Sequence, residues 1–196
     1  MSFRTTDIAI PLVILALALV APACASTTRE PVRSEAAAVH REATPSGLES
    51  AGDAAASRSD MTRAEEYYVA ARSLGGDEAR LTRKVIAVCV ADERYPVAAM
   101  YAEEYLTKHP QDVEMRFAAG ALHSAIGQTA AARNAYERVV REKPDLAEAH
   151  YALGMLLHDR SEEDPESAKQ LQQYLSLQPR GAYAESARSA LETREP

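Results

Sequence analysis

The 196-residue chain has no Trp, two Phe, two Cys and no surplus of positive charge. Each shortage removes a class of function. Two thiols, Cys24 and Cys89, give no disulfide framework, and no His or Cys pair stands at metal-ligand spacing. The formal net charge of -7 argues against nucleic acid, whose binding rests on neutralising phosphates with Lys and Arg. No Gly-rich turn follows a strand pattern, and no Ser, His and Asp set is spaced to meet, so neither a phosphate cradle nor a nucleophilic triad is expected. The expectation is a non-catalytic chain with no cofactor, no metal and no small-molecule substrate. What is abundant, Ala and Leu at 3.6-residue periodicity, points to an all-α core.

At the start of the chain, one cation at Arg4 precedes an apolar run from Ile8 to Val20 that only Pro11 interrupts. That run of 13 residues falls short of the roughly 20 needed to cross a bilayer as a helix. Small residues follow it, so residues 1–23 read as a secretory signal peptide. The stretch Val20-Ala21-Pro22-Ala23-Cys24 resembles the lipobox of bacterial lipoproteins, which implies that Cys24 is the acylated first residue of the mature chain. Ala21 stands where that family usually has Leu; Ala21-x-Ala23 also fits ordinary cleavage to a soluble periplasmic or secreted protein, and an uncleaved single-pass anchor is a further alternative. Ala25 and Ser26 carry no acidic retention signal after the Cys, which by the same resemblance favours the outer membrane, facing the periplasm. Residues 25–60 are Ser, Thr, Ala, Glu and Arg with scattered Pro and Gly, and are expected to form a disordered tether.

From residue 61 the pattern changes to helix, turn, helix. Gly75 and Gly76 end a helix of about 62–74, for which Asp60 and Thr62 are candidate caps. Pro110 and Pro144 lie 34 residues apart, and Pro179 follows after 35. A fixed period of this length marks a stack of repeated units. Its small residues fall in register: Ala98 and Ala102, then Ala119-Gly120 with Ala132 and Tyr136, then Leu153-Gly154 with Ser167 and Leu171. Gly127 suits a left-handed helix end, and Asp145 with Glu148 suits a capping box. The third unit carries one extra residue, in the acidic turn after His158.

These spacings resemble the tetratricopeptide repeat (TPR). The resemblance implies an all-α TPR α-solenoid with repeats at 79–112, 113–146 and 147–180, an N-terminal half repeat at 61–78 and a capping helix within 181–196. Ile86 departs from the pattern, standing where the family has Gly or Ala. Cys89 reads as an inert buried thiol, His123 as a satisfied interior histidine, and the acidic turn as a solvated one rather than a cation site.

The resemblance also implies a protein or peptide partner held on the concave side of the stack. In each first helix a stripe beside the core faces that side. It reads Arg83, Ala87, Val90, then Phe117, Ala121, Ser124, then Tyr151, Met155, His158. Arg80, Arg83 and Lys84 make one end basic while Glu114 and Glu148 add acid alongside, so a helix or extended peptide with an apolar centre and an acidic end is the expected ligand. Ala118 and Ala152 stand where some family members carry a polar clamp for C-terminal carboxylates. Envelope lipoproteins of this repeat type include pilotins and barrel-assembly factors. A structural, self-assembling lipoprotein or an accessory subunit of an envelope enzyme are the alternatives.

Overall fold

The computed structural model describes residues 44–161 and 164–192. The expected signal peptide, Cys24 and the first part of the expected tether lie outside the described residues. Within them the chain is a succession of helices: α1 Pro45–Ser57, α2 Met61–Ser73, α3 Glu78–Ala91, α4 Tyr95–Lys108, α5 Val113–Ala125, α6 Thr129–Glu142, α7 Ala147–His158, α8 Pro165–Leu177 and α9 Ala184–Glu192. Each packs against the next along the chain. Helices α5 and α7 also touch, as do α7 and α9. The odd-numbered helices therefore line one side of the stack.

Helix α1 corrects the expectation of a disordered tether reaching residue 60. Thr44 caps it by accepting from the Gly47 amide at 3.1 Å, and Pro45 occupies the first turn, where its missing N–H costs nothing. Leu48, Gly52 and Ala55 are buried against α2. The physical reason is contact without bulk. Gly52 lets the ring of Tyr68 lie directly on the α1 backbone, so little apolar side chain is required to form the interface. Residues 61–78 are accordingly the second half of a complete repeat, 45–78, and the stack contains four helix pairs followed by α9.

The register runs through all four pairs. Gly52, Gly120 and Gly154 occupy equivalent crossings, where an added β-carbon would stand 2.4 Å from Tyr68, 2.7 Å from Tyr136 and 2.8 Å from Leu171. Ser59, Glu93 and Gly127, at intervals of 34, all take positive φ (62°, 57° and 74°) in the turn between paired helices. Only the last is a glycine. Three residues make that turn in the first three pairs, whereas 159–164 connect α7 to α8, which places the extra residue where an insertion costs little.

Caps agree in part with expectation. Asp60, Asp77 and Asp112 each accept a backbone amide three residues on. Asp60, not Thr62, caps α2. Leu146 stands at the cap of α7 with no side-chain bond, so Asp145 and Glu148 form no capping box there. Glu65 serves another purpose. It lies 2.6 Å from Arg94 Nη1 and accepts from Tyr101 at 2.9 Å, tying the first repeat to the second. Cys89 is fully buried in that region, and burial, with Glu65 nearby, pushes its thiol up to about 11.

Candidate functional site

The odd-numbered helices carry the stripe expected to face the concave side. Positions equivalent to Arg83 and Ala87 are Phe117 and Ala121 on α5, Tyr151 and Met155 on α7, and, one repeat earlier, Glu49 and Asp53 on α1. Ala87, Ala121 and Ser124 are exposed, while Val90, Phe117, Tyr151, Met155 and His158 are half-buried.

The basic end foreseen from Arg80, Arg83 and Lys84 is present, but its charges are spent within the stack. Arg80 donates to both oxygens of Glu49 at 3.1 Å. Lys84 reaches Asp53 at 2.6 Å and Glu49 at 2.9 Å, and its ammonium lies 5.4 Å from the centre of the Tyr68 ring. Arg83 bridges Asp112 at 3.3 Å and Glu114 at 3.7 Å. Lys84 and Arg80 hold the Glu49 carboxyl below its usual range; Lys84 and the Tyr68 hydroxyl do the same for Asp53. Glu49 and Asp53 escaped the sequence reading because α1 did. Their signal was the same 34-residue step, back from Arg83 and Ala87.

In the middle, the ring of Phe117 tilts against Tyr136 with centroids 5.7 Å apart, so this side chain supports the helix pair. At the far end, Tyr151 is engaged by the capping segment. Its hydroxyl lies 3.0 Å from Ser186 Oγ and its ring stacks on Tyr183 at 4.4 Å and 10°. Tyr183 itself remains 45 % exposed and donates its amide to the Tyr174 hydroxyl. Met155 packs into the same cluster. His158, the last residue of α7, has a buried Nδ1 with no hydrogen-bond partner. Tyr183 and Ser186 were not foreseen as site residues.

Two clefts lie on the opposite side, between even-numbered helices. One, of about 430 Å³, is bordered by Glu103, Arg116, His123 and Arg138. The other, of about 680 Å³, is bordered by Arg133, His150, Glu166 and Gln170. Their polar groups face one another. Arg116 and Arg138 both donate to the Pro110 carbonyl and to Glu142, and His123 lies 2.8 Å from both Gln128 Oε1 and Glu103 Oε1. The His150 nitrogens sit 2.9 Å from the Pro144 carbonyl and 2.5 Å from Gln170 Oε1. Such groups are structural ties: each carries a buried polar side chain across to the preceding repeat or its paired helix. Among the described residues no three His, Cys, Asp or Glu gather as a metal site, and no helix is long and apolar enough to cross a membrane.

No family model and no curated protein matches the chain. Solved structures do. YrrB, described as a TPR protein with an unusual peptide-binding site, superposes with a TM-score of 0.62 at 21% identity, over 74% of this chain and 74% of that one. A tetratricopeptide repeat protein from Parabacteroides merdae gives 0.67 at 19% identity over 76% of this chain, which spans 59% of that protein's length. A structure of MamA gives 0.64 at 18% identity, over 76% and 84% of the two chains. Identities this low speak to the fold alone. With the 34-residue register of glycines, turns and caps, they establish that the described chain is an all-α TPR solenoid.

Proposed function

We propose that this chain is a non-catalytic protein–protein interaction scaffold of the bacterial envelope, which holds a partner helix or peptide in its inner trough. The observation that carries the reading is that α3 and α5 leave Ala87, Ala121 and Ser124 exposed between Arg83 and Tyr151, while Arg116, Arg138, His123, His150 and Gln170 of the outer clefts are taken up by ties within the stack. The likeness to a protein described as peptide-binding supports a peptide or protein partner. The apolar run Ile8 to Val20 ending near Cys24 supports export and a lipid anchor at Cys24, and with it an outer-membrane assembly or pilotin-like role facing the periplasm.

Ala121→Trp tests the trough, because the position is exposed and the added ring fills the space without touching the core. Cross-linked capture with the full-length chain should recover a partner that this variant loses while its melting stays unchanged. Undiminished recovery would move the site to the outer face. Intact mass and detergent partitioning test the anchor: a soluble chain of unmodified mass, indifferent to Cys24→Ser, would remove it.

A further inference from the structure

We infer that the partner of the inner trough is a basic amphipathic helix, seated with its apolar face between Arg83 and Tyr151 and its cationic flank toward Glu114 and Asp159. The inference rests on the trough reading above and adds the chemistry of the occupant. It reverses the charge that Arg80, Arg83 and Lys84 suggest when read alone.

The trough's own charge balance decides the sign. Its three cations face Glu49, Asp53, Asp77, Asp112 and Glu114 within ion-pair distance, so carboxylates already outnumber them at the end that looked basic. Further along, Lys143 stands beside Glu114 and the exposed Arg160 follows Asp159. Glu148 meets only the neutral amide of Gln178, at 3.1 Å. Asp159, exposed at the end of α7, has no side-chain ion pair among the described residues. Glu114 is 69% exposed and held loosely, at 3.7 Å from Arg83 and 3.8 Å from Lys143. An acidic ligand would add like charge to a face where carboxylates exceed cations even with Lys143 and Arg160 counted, whereas Lys and Arg side chains would find the exposed Glu114 and Asp159 able to accept further donors. The form of the ligand follows from the stripe. Val90, Phe117 and Tyr151 are half-buried apolar side chains on the same stripe as the small, exposed Ala87 and Ala121, and large beside small apolar residues suit one apolar helix face, as ridges fit grooves. Tyr183 and Ser186 close the far end on Tyr151, which sets where the helix stops.

The test uses the full chain and two labelled probe peptides of about five helical turns, one with Leu on one face and Lys on the other, one with Glu in place of Lys. Fluorescence anisotropy should show the Lys peptide binding and the Glu peptide not. Glu114→Lys should weaken the Lys peptide about fivefold. Glu66→Lys, an equal charge change on exposed α2 surface, should leave it unchanged, which separates the trough from net charge. Ala121→Trp should abolish binding. If the Glu peptide binds as well or better and Ala121→Trp abolishes that binding, the trough stands and the basic occupant is refuted. If neither peptide responds to Ala121→Trp, the trough reading itself has failed.

Discussion

The ring of Tyr68 lies on the backbone of Gly52 so closely that a β-carbon there would stand 2.4 Å from Cε1. The ring cannot swing aside freely, because its hydroxyl donates to Asp53 Oδ1 at 2.7 Å. This pair is what makes residues 45–57 part of the solenoid. Gly52→Leu should therefore cost roughly 1–3 kcal/mol or more in urea or thermal unfolding, and Gly154→Leu, overpacking Leu171 at the equivalent crossing, a similar amount. Melting curves like the parent's would mean the crossings are assigned wrongly.

The turn register yields an opposite pair of changes. Glu93 holds a φ of 57° that suits glycine, and Gly127 holds 74° at the equivalent place. Glu93→Gly should stabilise the chain by about 1 kcal/mol, and Gly127→Ala should destabilise it by about as much. Both positions are exposed, so packing does not obscure the comparison. Chemical unfolding of the two variants checks both signs.

Acid should weaken the junction of the first two repeats. Folding lowers the carboxyl values of Glu49 and Asp53, chiefly through the bond to Lys84. Their contribution is complete above the unfolded-chain values near pH 4 and is lost as pH falls through the folded ones. Lys84→Met should cost about 1 kcal/mol or less at pH 7, since the pairs are partly exposed, and the difference from the parent should shrink as pH falls through the folded-state values of the two carboxyls. A pH-independent difference would assign the effect to the lost packing of Lys84 over Tyr68.

Cys89 should behave as a core residue. With its thiol fully buried and pushed up to about 11, it should resist alkylation in the native chain at pH 8 and react at once in denaturant. Rapid native labelling would contradict its burial.

Most of the stack was legible because the prolines and the larger core residues repeat at a fixed step. Tyr136, Leu171 and Tyr174 announce their helices through bulk. What was lost, α1, is held by Leu48 with Gly52 and Ala55, residues whose value lies in letting another helix approach rather than in apolar area of their own. A hydrophobicity reading undervalues such contacts. The trough suffered in consequence: Arg80 and Lys84 looked free because Glu49 and Asp53 sat on a helix that had not been recognised. Tyr151 shares its register position with Arg83 and Phe117, yet its stack on Tyr183 depends on a turn at Gly181 that spacing alone does not define. Tyr151→Ala therefore disturbs the cap as well as the trough, and Ala121→Trp is the cleaner probe.

Hydrogen exchange over residues 45–57 is the most direct measurement, because both the four-repeat stack and the acidic balance of the proposed trough require α1 to be a full member of the fold. Amides in the interior of α1 should be protected like those of α2, with protection lost from both helices in Gly52→Leu. Exchange of residues 45–57 at the rate of an unfolded peptide, with α2 still protected, would contradict the account.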